Sequence, residues 1–171
     1  STIFALGLDG KNAAPRQQGE KMKVYLGSDH AGYKLKEYVQ KHLLQKKGFE
    51  TVDLGTHSED SVDYPDFAEK VAEKVMQGKN AFGILMCGTG IGMSISANKI
   101  KGIRAAVVYD RYTARVAREH NNANIICLGG KTTKTPEAAK ILDAFFSAKK
   151  PLKGSRHARR VKKIGALEKN C

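Results

Sequence analysis

Residues 81–94 read AFGILMCGTGIGMS, and this stretch decides the fold. Ala81–Met86 is a continuous apolar run, the pattern of a strand buried on both faces in a parallel sheet covered by helices. It passes directly into Cys87-Gly88-Thr89-Gly90-Ile91-Gly92-Met93-Ser94. Glycines at alternate positions let the backbone turn tightly and aim successive N–H groups into one concavity. Such a loop holds phosphates or stabilises a developing oxyanion. A helical stretch over Ile91–Lys99 completes one strand–loop–helix unit.

The same unit recurs on either side. Val24–Gly27 reads as a first strand, followed by Leu35, Val39, His42 and Leu43 at helical spacing until Gly48. Phe49–Leu54 is a second strand, and a polar loop through Tyr64-Pro65 leads to a helix carrying Phe67, Val71 and Val75, ended by Gly78. Beyond the glycine loop, Ile103–Val108 is a strand, Tyr112–Glu119 a helix, and Ile125–Leu128 a fifth strand running into Gly129-Gly130. Helices over Pro136–Ala148 and, after the Pro151/Gly154 break, Arg156–Lys169 close the chain. The expected fold class is α/β: a Rossmann-like three-layer sandwich with a five-stranded parallel sheet. Ligands in such sheets bind at the carboxyl ends of the strands, so strand-end residues are the candidates for chemistry.

At 171 residues the chain is sized for one α/β domain. With 41% hydrophobic residues and 4 prolines it does not have the composition of a disordered protein, and it has no apolar run long enough for a membrane helix. Residues 22–171 are expected to form the domain. Residues 1–21 lack an initiating Met, include the Gly/Asn/Pro/Gln-rich stretch Gly10–Gly19 and read as an expression remnant or disordered extension. Cys87, Cys127 and Cys171 are too few and too dispersed for a disulfide scaffold or a clustered zinc site, which suits a reducing compartment, the cytoplasm.

The net charge of +13 is concentrated at one end. Residues 149–171 hold nine Lys/Arg against the single Glu168, while residues 24–148 carry only +3. A basic tail can be a solvated helix, a nucleic-acid arm, or a set of guanidiniums delivered to a small anion. Residues 149–171 contain no Phe, Tyr or Trp to stack on bases, which argues against nucleic acid. A thiol redox role is disfavoured because no Cys-x-x-Cys or plausible resolving cysteine is present.

Four strand-end or helix-end groups stand out. Ser28-Asp29-His30-Ala31-Gly32 places a carboxylate and an imidazole after the first strand, where they either meet a polar ligand or simply cap a helix and face solvent. Cys87 sits at the mouth of the glycine loop, where a helix N-terminus and backbone donors favour its thiolate form. The loop is neither a dinucleotide fingerprint, since Gly92 comes one residue early, nor a Walker loop, since no Gly-Lys-Ser/Thr follows. His120-Asn121-Asn122 ends a helix bearing Arg111, Arg115 and Arg118, and by itself is an ordinary helix stop. Arg156 and Arg160, spaced i and i+4, share a helix face and can grip a phosphate. His42 and His57 read as structural or solvated, and Cys127 as core.

Taken together, Gly27–Gly32, Ser61–Asp66, Cys87–Ile95, Ala97-Asn98-Lys99, Arg118–Asn124 and Arg156-His157 with Arg160 resemble the B-type ribose-5-phosphate isomerases. That family also includes isomerases of galactose 6-phosphate and allose 6-phosphate. The resemblance runs in order from about Met22 to the C-terminus. It implies a dimer or tetramer that needs no metal or nucleotide cofactor and interconverts ribose 5-phosphate and ribulose 5-phosphate.

Carried onto this chain, the resemblance makes Cys87 the base that moves a proton between C1 and C2 through an enediolate, with Thr89 nearby. It makes His120 the acid that opens the furanose ring. Gly88, Gly90, Ile91 and Gly92 supply backbone donors, with Ser94 in the same substrate-binding set. Asp29 and Asn121 bind sugar hydroxyls, Tyr64 lines the pocket, and His30, Arg156 and Arg160 hold the phosphate. Sites of this family are assembled across a subunit interface, so the His120 region and the C-terminal helix are expected to reach a partner subunit's cysteine. Lys131, after Gly129-Gly130, stands where family members commonly carry Arg; it keeps the charge and gives up the planar fork. The choice between a pentose and a hexose phosphate rests on one hydroxymethyl unit of pocket depth and stays open.

Overall fold

The computed structural model describes residues 21–170. In chain order the elements are β1 (Met22–Ser28), α1 (Tyr33–Leu44), β2 (Phe49–Asp53), α2 (Tyr64–Gln77), β3 (Ala81–Cys87), α3 (Ile91–Ala97), β4 (Ala105–Val107), α4 (Arg111–Glu119), β5 (Ile125–Gly129), α5 (Thr135–Ser147) and α6 (Arg156–Leu167), followed by a 3-10 turn, Glu168–Asn170. The five strands form one parallel sheet in the order β2-β1-β3-β5-β4. This is the expected α/β architecture. The expected extension at residues 1–21 falls, except for Lys21, outside the described residues, as does Cys171.

Alternation along the central strands builds the two cores. Ile84 and Met86 of β3 join Val24, Leu26, Ile126 and Leu128 in a cluster covered by α1, α4 and α5. Leu85 and Cys87 join Tyr25, Ile125 and Cys127 in a second cluster covered by α2 and α3. Successive strand residues face opposite layers, so a strand apolar throughout is needed to feed both.

Several boundaries differ from the sequence reading, each for a local reason. β4 is confined to Ala105–Val107 because the Arg104 N–H donates to the Asn124 side chain (2.8 Å) instead of a ladder partner. α3 stops at Ala97, where the Asn98 side chain turns to bond both the N–H and the carbonyl of Ala105. α1 ends at Leu44, four residues before the left-handed Gly48 (φ 92°) that closes the connection.

The strand order reverses direction of growth between β1 and β3, so the loops after Ser28 and Cys87 diverge to opposite faces and leave a crevice. Helix α6 is tied to the rest of the chain near both ends. Its start stacks His157 on His120, and beyond its end Glu168 accepts the Gly102 N–H at 2.7 Å.

Candidate active site

The crevice at the β1/β3 switch is an open cavity of about 520 Å³. Cys87, the last residue of β3 and only 5% exposed, forms part of its floor. Its Sγ accepts the Gly90 N–H at 3.1 Å, so a backbone donor already faces the sulfur. Gly90 adopts φ 81°, and a Cβ there would meet the Cys127 and Leu128 backbone at 3.1 Å, so glycine is required on both counts. Behind the loop, Gly130 N–H donates to the Cys87 carbonyl (2.7 Å) and Lys131 N–H to the Gly88 carbonyl (3.0 Å). These bonds lock the β5 loop to the β3 loop.

Asp29, His30, Tyr64 and Lys131 line the same cavity. Asp29 uses Oδ1 to accept the Gly32 N–H (3.0 Å), so it does cap the turn into α1 while lining the cavity. His30 Nδ1 accepts the Val62 N–H at 3.2 Å. With Nδ1 serving as acceptor, the imidazole proton sits on Nε2, leaving a donor for a ligand. Tyr64 lays its ring against Gly92, where a Cβ would come within 2.6 Å of the ring. Lys131 lies over Gly88, its Cδ 3.6 Å from where a Cβ would stand. Thr89 is exposed, and its Oγ1 accepts the Ile91 N–H at 3.3 Å. The Ser94 hydroxyl instead points to β4, donating to the Ala105 carbonyl (3.2 Å).

The remaining candidates stand elsewhere in the chain. In a parallel α/β sheet each helix starts at the carboxyl edge and returns to the amino edge, so the end of α4 faces the opposite edge from Cys87. The Asn124 carbonyl indeed accepts the Gly83 N–H near the start of β3. β3 alone, with 7 residues, spans roughly 20 Å at about 3.3 Å per residue. His120 stacks on His157 with ring centroids 4.0 Å apart and planes 5° from parallel, lining a separate hollow with Lys149 and Lys150. Asn121 lines another, beside Arg104 and Ile164. Arg156 and Arg160 are exposed on α6, and desolvation, then His120, Arg156 and Arg160, holds the His157 imidazole below its ordinary range.

Two features escaped the sequence reading. Lys36 is completely buried, with its ammonium 2.6 Å from Asp53 Oδ1 at the end of β2. Its spacing to Val39 and Leu43 on the buried stripe of α1 was the available signal. The second is a pair of half-buried guanidiniums, Arg104 and Arg118, converging on Asn122. His42, read as structural or solvated, pairs with Asp143 at 2.9 Å. Burial pushes the Cys127 thiol up, in keeping with a core role. Among the described residues no group of three or more His, Cys, Asp or Glu is placed to hold a metal ion, and no helix is long and apolar enough to cross a membrane.

Comparison with known proteins gives a consistent answer. Residues 24–164 match the model of the family described as Ribose/Galactose Isomerase. The chain is 45% identical over 147 residues to the probable ribose-5-phosphate isomerase B of Mycoplasma pneumoniae, covering 85% of this chain and 95% of that protein. It is 42% identical to ribose-5-phosphate isomerase B of Escherichia coli, covering 85% and 96%. The structure of ribose-5-phosphate isomerase B from Clostridium thermocellum superposes with a TM-score of 0.82 at 51% identity, covering 87% of this chain and 99% of that one. The cysteine-and-glycine crevice therefore lies in an isomerase fold, and the chain belongs to the Ribose/Galactose Isomerase family.

Proposed function

We propose that this sugar-phosphate isomerase interconverts D-ribose 5-phosphate and D-ribulose 5-phosphate, with Cys87 as the base. The observation that carries the reading is the Gly90 N–H directed at Cys87 Sγ beside Asp29, His30 and Lys131 in one crevice. His120 protonates the ring oxygen as the C1–O4 bond breaks and the O1 proton leaves, giving the open aldose. The Cys87 thiolate then takes the C2 proton; a C1–C2 double bond forms and charge collects on O1, facing the N–H groups of Gly88–Gly92. Return of the proton to C1, with transfer of the O2 proton to O1, yields the ketose. C1 is reduced as C2 is oxidised, so the reaction balances without an external electron acceptor. Asp29 and Asn121 hold hydroxyls, Tyr64 walls the pocket, His30 donates from Nε2 to the phosphate, and Arg156, Arg160 and Lys131 neutralise it.

The complete site requires a second copy of the chain, because His120, Asn121 and α6 are remote from their own Cys87. Large apolar side chains are exposed next to the crevice and along the β4 edge: Ile91 (55%), Ile95 (59%), Tyr109 (68%) and Tyr112 (62%). A twofold-related copy covering this face buries them and brings the amino-edge residues of one subunit to the carboxyl edge of the other.

Initial rates of ketose formation from ribose 5-phosphate, allose 6-phosphate and galactose 6-phosphate, for wild type and Cys87→Ala, test the reading. Pentose turnover that collapses in the variant supports it. Turnover of a hexose phosphate alone overturns the substrate assignment and leaves the chemistry standing.

A further inference from the structure

Arg118, one residue before the end of α4, is held by several partners at once. Its guanidinium is half-buried between aromatic rings, 4.9 Å from the Phe82 centroid and 5.7 Å from that of Phe145. From there it donates to Asn122 Oδ1 and to the Ala123 carbonyl, both at 2.9 Å. Arg104 approaches from the β4 side and donates from Nε to the Asn122 carbonyl, also at 2.9 Å. Asn122 is left-handed (φ 48°), and its N–H returns to the Arg118 carbonyl at 3.1 Å. Everything between Arg118 and Asn122, namely Glu119, His120 and Asn121, is thus held in a turn pinned at both ends.

Ending the helix does not need this clamp, since a left-handed residue with a backbone bond suffices. The clamp instead gathers two like charges in partly buried surroundings. Burial, then the charge of Arg104, lowers the proton affinity of Arg118, and burial lowers that of Arg104 despite Glu168. Such an arrangement is opposed by desolvation and repulsion, and what it secures is the path of the backbone that carries His120.

We infer that Arg118 is a positioning residue for ring opening: by holding Asn122 and Ala123 it sets the orientation of His120, which touches the substrate while Arg118 does not. This rests on the ring-opening role proposed for His120. Ribulose 5-phosphate offers a clean comparison, because its O5 is esterified and it cannot close to a furanose. Ribose 5-phosphate is cyclic and must be opened. A defect in His120 placement therefore slows the aldose-to-ketose direction selectively at saturating substrate, where the rates are not tied to each other by the equilibrium constant.

The test measures initial rates at saturating substrate (kcat) in both directions for Arg118→Lys, Asn122→Gly, His120→Ala and the Arg118→Lys/His120→Ala double variant. Lys keeps a cation near Phe82 but is one bond too short to put a nitrogen where Arg118 Nη1 makes both of its bonds, and Gly keeps the left-handed backbone while deleting Oδ1. Each single variant is expected to lose roughly tenfold to a hundredfold from ribose 5-phosphate and less than about threefold from ribulose 5-phosphate. The double variant is expected to be no slower than His120→Ala, because both changes remove one function. Equal losses in the two directions, or a further loss in the double variant, would overturn the inference and leave Arg118 as scaffold. If His120→Ala shows the asymmetry and Arg118→Lys and Asn122→Gly do not, the inference fails alone. If His120→Ala shows none, the ring-opening assignment fails with it.

Discussion

The Gly90 N–H donates to Cys87 Sγ at 3.1 Å, making a backbone donor of the glycine loop a partner of the sulfur that ends β3. Cys87→Ala is expected to lower turnover about a hundred- to ten-thousand-fold, the span typical of a lost general base. Gly90→Ala forces a Cβ onto a left-handed backbone against the Cys127 and Leu128 main chain, so it is expected to slow both turnover and alkylation of Cys87 by iodoacetamide. Saturating sugar phosphate should protect Cys87 from alkylation in the wild type. Unchanged alkylation in its presence would contradict the placement of substrate over the sulfur.

Lys36 and Asp53 form an ion pair that ties α1 to the end of β2. Asp53 Oδ1 also accepts the Gly55 N–H at 2.9 Å. Removing the carboxylate strands a buried ammonium, and Asp53→Ala is expected to cost about 3–5 kcal/mol in urea unfolding. Lys36→Met/Asp53→Leu, which removes both charges, should recover much of that loss. An Asp53→Ala variant as stable as wild type would show the pair to be dispensable.

His157 is held below the ordinary imidazole value of 6.5, first by desolvation and then by His120, Arg156 and Arg160. The folded state consequently binds its proton less readily than the unfolded chain, so the contribution of this group to stability declines as pH falls through 6.5. NMR titration of the His157 ring should give a midpoint below 6.5, moving upward in Arg156→Gln and Arg160→Gln. A midpoint at or above 6.5 in the wild type would contradict this environment.

Asp143 behaves in the expected manner of a paired carboxylate. Partial burial acts to raise it, but hydrogen bonds and charge from Lys46 and His42 outweigh that and hold it below 3.8. Its stabilisation is present above 3.8 and is lost as pH falls through the lower folded-state value. With half the side chain in solvent, Asp143→Asn should cost less than about 1 kcal/mol at pH 7. The difference from wild type should fade in urea unfolding below pH 3.8, and a difference that grows on acidification would reverse the assignment.

The parts of the fold that were legible in the sequence are those where one residue type serves one purpose. Ala81–Cys87 is apolar because both faces are covered, and the glycines after it have backbone reasons visible in their spacing. β4 was read too long because Ile103 is as buried as a strand residue. What removes it from the ladder is the bond that the Arg104 N–H donates to the Asn124 side chain, twenty positions away and invisible to periodicity. Lys36 was missed because lysine is rarely buried without a partner, and its partner lies on another element. The crevice residues Asp29, His30, Tyr64, Cys87 and Lys131 were identifiable as strand-end or loop residues. Ser94 was not separable from them by spacing, yet its hydroxyl faces β4. The position of His120 at the amino edge follows from the direction of α4, which is also why the proposed site needs two chains.

Mixing tests that proposal in one step. Cys87→Ala and His120→Ala, each purified alone, are combined, unfolded and refolded together so that subunits redistribute, and ribose 5-phosphate isomerisation is measured. If each site takes Cys87 from one chain and His120 from another, mixed dimers contain one site with neither defect. Random pairing should then restore about a quarter of the wild-type rate. A mixture no more active than the average of the two variants would contradict a shared site and, with it, the assignment of His120 to the chemistry at Cys87.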